Sequence, residues 1–151
     1  MRAYFGMQLR ALQSMGFTNL YGIELNSKVA DFGRKNVRGI NLIEGDALNL
    51  PFKDNYFDLV FTSGVLIHIA PKDRAQAMKE IYRCAKKYIW GFEYFGETSQ
   101  EILYRGNPDR LWKANFPALY KKQFPKLKLL KQKLFRYKGE KNEDVMFLFK
   151  K

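Results

Sequence analysis

The sequence has one cysteine, one histidine and no apolar run long enough to span a bilayer. A single thiol, Cys84, excludes an internal disulfide and a cysteine-based metal cluster, and no metal site is expected. Cys84 sits in a helical pattern with apolar neighbours, which predicts a packed core thiol. The N-terminal stretch MRAYFGMQLRAL lacks the apolar segment of a secretory signal, so a cytoplasmic protein is expected. Acids are scarce as well: 15 Asp and Glu stand against 27 Lys and Arg, a formal net charge of +12. Disorder is excluded by what is abundant. At 151 residues, 46% hydrophobic and 16% aromatic, the chain can bury one sizeable core in one domain.

The charge is unevenly placed. From Lys121 to Lys151 there are eleven Lys or Arg and three acids. The lysines alternate with apolar residues over Leu127 to Leu134, which predicts a solvated basic face with the leucines turned inward. The alternative is a surface for an anionic partner: a phosphate-bearing substrate, nucleic acid or a membrane surface.

Short apolar strands alternate with amphipathic helices. Met7 to Met15 has helical spacing, with Gly16 as its stop. Leu20 to Leu25 reads as a strand, and Ser27 as the cap of a helix reaching about Arg34. Strands follow at Ile40 to Glu44 and Phe57 to Thr62, then a helical turn over Val65 to Ile69. A helix is predicted over Pro71 to Lys86, its inner face holding Ala75, Met78, Ile81, Tyr82 and Ala85. The strand Tyr88 to Tyr94 precedes a loop-rich insertion at 95–115. Asn115 is positioned to cap a helix ending near Phe124, and strands at Lys128 to Arg136 and Val145 to Lys150 close the chain. This order implies an α/β fold: a doubly wound, mostly parallel, Rossmann-like sheet with a C-terminal antiparallel hairpin. Ligands of such sheets bind beyond the carboxyl ends of the strands.

Three successive strand ends carry polar or glycine residues. Glu24 ends the first, where a carboxylate can accept both hydroxyls of a ribose, and Leu25 beside it can pack on a flat base. Asp46 follows the second, placed to accept from an exocyclic amine, with the backbone N–H of Ala47 available to a ring nitrogen. Thr62-Ser63-Gly64 ends the third, where backbone can approach a ligand closely. Each has a plainer reading, as a strand-end acid or an ordinary turn; the ordered combination is what points to a nucleoside.

The stretch YGIELN…LIEGDALNLPFKDNYFDLVFTSGVLIHI resembles motifs of class I S-adenosylmethionine-dependent methyltransferases. GVLIHIAP, EIYRCAKKYIWGFEYF and YRGNPDRLWKANF resemble, within that class, the methylases associated with pseudaminic acid biosynthesis. The resemblance implies S-adenosylmethionine as cofactor and a small anionic or sugar acceptor, a sugar or nonulosonic acid pathway metabolite, with no membrane span and a homodimer as an alternative to the monomer. It implies that Glu24 holds the ribose, that Leu25 and Asn26 flank the adenine, and that Asp46 and Ala47 recognise its edge. Ser63, Gly64 and Val65 are implied on the methionine side of the cofactor. His68 and Glu93 are implied beside the acceptor, with Tyr94, Tyr104, Arg105 and Arg110 as substrate-binding residues. His68 suits a base because imidazole titrates near neutrality, though a structural histidine is the alternative. Glu93 is a second base, a ligand of a substrate hydroxyl, or an acid paired with a nearby cation. Arg105 and Arg110 suit a carboxylate or phosphate, or pair with Asp109 or Glu101.

The family's turn E-x-G-x-N-x-G is matched only at Gly6, with Arg2 and Tyr4 at the earlier glycine and asparagine positions. The first strand is reduced to Arg2–Phe5. The expectation is therefore a single methyltransferase domain truncated in its glycine-rich motif, with weak cofactor binding. Its rivals are a catalytically impaired methyltransferase-like protein, a nucleic-acid methyltransferase and a basic binding module.

Overall fold

The computed structural model describes residues 7–137, 139 and 142–151. The chain forms two compact units, Met1–Pro51 and Phe52–Lys151.

In the first unit, helix α1 (Met7–Ser14) buries Leu9 and stops where expected, at Gly16, whose φ of +87° favours a residue without Cβ. Strands β1 (Leu20–Glu24) and β2 (Ile40–Glu44) pair in parallel, from Leu20 opposite Ile40 to Glu24 opposite Glu44. A Cβ on Gly22 would lie 2.7 Å from Leu42 Cδ2 and 3.0 Å from Leu9 Cδ1, so glycine there admits close packing on both. Helix α2 (Ser27–Asn36) connects the strands. Its cap is Asn26 and not Ser27: the Asn26 side chain accepts from the Val29 N–H at 3.2 Å, which makes Ser27 the first helical residue.

The second unit is built on a four-stranded mixed sheet. Strands β3 (Phe57–Ser63) and β4 (Ala85–Phe95) run parallel. Strand β8 (Glu143–Lys150) lies antiparallel to β4, and β7 (Lys128–Arg136) antiparallel to β8, giving the order β3-β4-β8-β7. The sheet is thus an α/β arrangement with the expected antiparallel hairpin at its C-terminal side. A short 3-10 turn (Leu66–His68) and helix α3 (Pro71–Cys84) connect β3 to β4. Helix α4 (Phe116–Gln123) is capped by Asn115, whose side chain accepts from the Ala118 N–H at 3.1 Å.

Three expectations need correction. Helix α3 ends at Cys84 and β4 begins at Ala85 with no intervening loop, so the helix is two residues shorter than its pattern. Its buried stripe runs through Arg74, Ala77, Met78, Glu80, Ile81 and Cys84, while Ala75 is exposed. Charged residues enter that stripe because they are bonded: Arg74 Nε donates to Ile69 O and Nη1 to Ser99 Oγ, and Glu80 pairs with Arg83 at 2.7 Å. Finally, the leucines of β7 do not turn inward. Leu129, Leu130 and Leu134 are exposed like the lysines between them, since β7 is the last strand of its sheet.

The segment 95–115 is also more ordered than a loop. Two-residue strands β5 (Gln100–Glu101) and β6 (Trp112–Lys113) pair antiparallel. At the tip, Tyr104 and Asn107 exchange backbone hydrogen bonds of 3.0 Å around Arg105 and Gly106, both with positive φ. That is the signature of a type I′ turn.

The core of this unit lies under one face of the sheet: Met78, Ile81, Cys84, Ile89, Phe116, Tyr120, Leu127, Val145, Phe147 and Phe149 are all buried. Cys84 is a core thiol, as its pattern predicts, and burial pushes its pKa up. Each buried Phe of this set contributes about 1.5–3 kcal/mol through removal of apolar surface from water.

Candidate active site

The first unit presents its polar residues at the carboxyl ends of its two parallel strands. Glu24 closes β1 half-buried, and its Oε1 accepts from the Asn26 N–H at 2.9 Å, which fixes the carboxylate beside the α2 N-terminus. Leu25 is 72% exposed, a large apolar side chain left open next to that acid. Asn26 uses its side chain to cap α2. Beyond β2, Asp46 Oδ1 accepts from the Leu48 N–H at 2.9 Å and its backbone carbonyl from Asn49, so Gly45-Asp46-Ala47 is a self-bonded turn. The Gly45 N–H donates to Glu24 O at 3.0 Å and ties that turn to the end of β1. Gly6 lies outside the described residues, as do Arg2–Phe5.

In the second unit the end of β3 opens into a cavity of about 330 Å³. Ser63, Gly64, His68, Glu93, Tyr94 and Tyr104, all singled out from the sequence, line it together. Gly64 has φ +63°, and its N–H donates to Phe92 O at 2.9 Å, which holds the strand end against β4. Val65 follows, 40% exposed. His68 ends the 3-10 turn; its Nδ1 lies 2.8 Å from the Arg110 carbonyl oxygen, and its ring meets Tyr104 edge-on at 5.3 Å. A carbonyl only accepts, so Nδ1 is the donor and, in the neutral ring, Nε2 bears the lone pair.

Glu93 is 1% exposed. Its carboxylate accepts from the Val65 N–H at 3.2 Å and the Ile67 N–H at 3.4 Å, and so receives the unpaired backbone donors that begin the 3-10 turn. Burial pushes its pKa up to about 7; hydrogen bonds from the Thr62 side chain and from the backbone of Val65, Leu66 and Ile67 work against that rise. The acid thereby fixes the turn that carries His68. Arg74 braces the far end of the same turn through Ile69 O, with its guanidinium 5.3 Å over the Phe116 ring. Burial lowers the Arg74 pKa and the nearby charge of Glu93 opposes the change.

Arg105 and Arg110 are exposed and stand outside the lining of the cavity. Arg105 occupies the tip of the type I′ turn, its guanidinium 5.4 Å over the Tyr104 ring. Arg110 meets His68 through its backbone. Ile67, Phe92, Leu111 and Asp144 complete the wall. None of these four was named as a site residue from the sequence: Ile67, Phe92 and Leu111 are apolar, and Asp144 lies in the closing hairpin. Arg74 was not named from the sequence, where the inner face of its helix was assigned to apolar residues.

Comparison with known proteins places these features in a family. The model of the methyltransferase domain family matches residues 4–88, more than half of the chain. The chain belongs to the class I S-adenosylmethionine-dependent methyltransferases. It is similar to a demethylmenaquinone methyltransferase of Lactobacillus johnsonii, 40% identical over 74 residues that make up 45% of this chain and 30% of that protein. The chain spans about a third of the length of such curated relatives. Among solved structures it is similar to an S-adenosylmethionine-dependent methyltransferase of Methanosarcina mazei. That likeness has a TM-score of 0.73 and 17% identity, covering 95% of this chain and 86% of the other. It is also similar to the Burkholderia thailandensis 1,6-didemethyltoxoflavin-N1-methyltransferase, solved with 1,6-didemethyltoxoflavin and S-adenosylhomocysteine. There the TM-score is 0.77 with 11% identity, covering 99% of this chain and 68% of the other. These structural likenesses carry the fold.

Proposed function

We propose that this methyltransferase transfers a methyl group from S-adenosylmethionine to a hydroxyl of a small acceptor, a sugar among the classes that the resemblance implies. The observation that carries the proposal is His68, held in one tautomer by the Arg110 carbonyl at the wall of a cavity of small-molecule size.

The donor set fits the adenosine half of the cofactor. Glu24 has one lone pair engaged by Asn26, which leaves acceptor capacity for vicinal hydroxyls. Exposed Leu25 offers an apolar surface to a base, and Asp46 with Ala47 offers an acceptor and a backbone donor to its edge. Asn26 serves there as the cap that fixes the loop. Ser63, Gly64 and Val65 are assigned by the resemblance to the methionine side.

When bound, the cofactor supplies an electrophilic methyl on a positive sulfur. The chain's own work is alignment and proton handling, because in-line displacement depends on holding the reactants in place. With the cofactor bound, His68 Nε2 would accept the proton of the acceptor hydroxyl, the group that would take the methyl. Glu93 is a positioning residue, since it fixes the turn that carries the imidazole.

Calorimetry with S-adenosylhomocysteine tests the cofactor half. Binding is expected, weakened about tenfold or more by Glu24→Ala through loss of a charge-assisted pair of hydrogen bonds. Absence of binding at millimolar ligand defeats the proposal.

A further inference from the structure

Asp144 is the second residue of β8, opposite Tyr94 of β4 and Phe135 of β7. It is 6% exposed and lines the cavity that holds His68 and Glu93. Its Oδ2 accepts from the Tyr137 hydroxyl at 2.7 Å, a bond that also raises the Tyr137 pKa. A carboxylate offers about four acceptor positions, and burying it is costly unless hydrogen-bond donors fill them. No Lys or Arg lines the cavity among the described residues. The basic side chain among its lining residues is the imidazole of His68, already turned toward Arg110 O. Phe92, Tyr94 and Tyr104 supply aromatic walls, which accept apolar ring faces and cations alike.

The geometry points to Asp144 as a specificity-determining residue of the acceptor site: its carboxylate takes hydrogen bonds from hydroxyl or ammonium groups of the acceptor and excludes acceptors that bring a carboxylate or phosphate into the cavity. This rests on the reading of the cavity as the acceptor site. It also narrows that reading, because the chain's positive charge lies elsewhere: β7 carries Lys128, Lys131, Lys133 and Arg136, whereas the cavity wall carries two acids. The Asp144 carboxylate repels an anionic group brought into the cavity more strongly than it would in water. Tyr137 holds the carboxylate in place and acts through it as a positioning residue.

Three matched probes separate the possibilities: glucose, glucosamine and glucuronate, which differ in carrying hydroxyls alone, an added ammonium or an added carboxylate. Each is titrated into the full chain by saturation-transfer NMR with S-adenosylhomocysteine present, whose own signal reports the cofactor. Glucose or glucosamine is expected to bind about tenfold more tightly than glucuronate. Asp144→Asn is expected to abolish that preference, and Tyr137→Phe, which frees the carboxylate, to reduce it. A purely structural role for Asp144 moves all three affinities together and leaves their ratio intact, which overturns the proposal. So does glucuronate binding as tightly as the others, or no binding of any probe. If Asp144→Asn melts below the assay temperature, the ranking in the unaltered chain decides. A cofactor signal without discrimination among probes overturns Asp144 alone; discrimination without a cofactor signal overturns the methyl-transfer reading alone.

Discussion

The Nδ1 of His68 lies 2.8 Å from the main-chain carbonyl of Arg110, across 42 residues of sequence. A backbone acceptor cannot titrate, so it sets the imidazole tautomer whatever side chain position 110 carries. His68→Asn keeps a donor toward that carbonyl and removes Nε2. Its methyl-transfer rate is expected to fall by about 10²-fold or more, the usual worth of a general base. Cofactor affinity and melting temperature should stay unchanged. Retention of the full rate in a transfer assay with a competent acceptor removes His68 from the mechanism.

Glu93 makes folding sensitive to pH. Its carboxyl has a higher pKa folded (about 7) than unfolded (near 4.5), because burial disfavours the charged form. The folded chain therefore binds its proton more tightly, and stability falls as pH rises from about 4.5 through about 7. The contribution is present in full below that window and lost above it. Its size is on the order of 3 kcal/mol, from the span of the two pKa values. Urea unfolding at pH 5 and pH 8 measures it, and Glu93→Gln is expected to flatten the dependence. An equal slope in the variant assigns the effect to another group.

Gly91 is held to its size by Phe147. A Cβ there would come within 2.7 Å of three atoms of that buried ring, opposite it in the β4–β8 ladder. Gly91→Ala is expected to destabilise by about 1–3 kcal/mol, as overpacking does. Adding Phe147→Leu recovers part of the loss by clearing the space. Chemical denaturation of both variants checks this, and additive losses in the double variant contradict direct contact.

Much of the fold was legible because its elements obey simple periods. Ile40–Glu44 and Lys128–Arg136 were bounded as observed, and the Asn115 cap was visible as a polar residue before an apolar helix. Errors came where tertiary structure overrides pattern. The face of α3 was misjudged because Arg74 is buried by a bond to Ser99, remote in sequence, and Glu80 by its ion pair with Arg83 one turn on. The leucines of β7 alternate as if one face were covered, yet a terminal strand need not have a covered face. In the candidate site, Ser63, Gly64 and His68, named from one short stretch at the end of β3, line the same cavity. Asp144 escaped because it enters the cavity from a hairpin 76 positions after His68, with no pattern to link them.

The exposed basic strand at the end of the second sheet has a consequence for the chain in solution. β7 is paired on one side by β8 and, among the described residues, by no strand on the other. Such an edge is a template on which other chains can add and aggregate, and its exposed leucines sharpen that hazard. Lys128, Lys131, Lys133 and Arg136 interrupt it at short intervals, so an identical strand laid alongside would meet like charge along its length. The positive charge that first suggests an anionic partner thus acts as a guard against self-association through this edge, and salt weakens the guard by screening it.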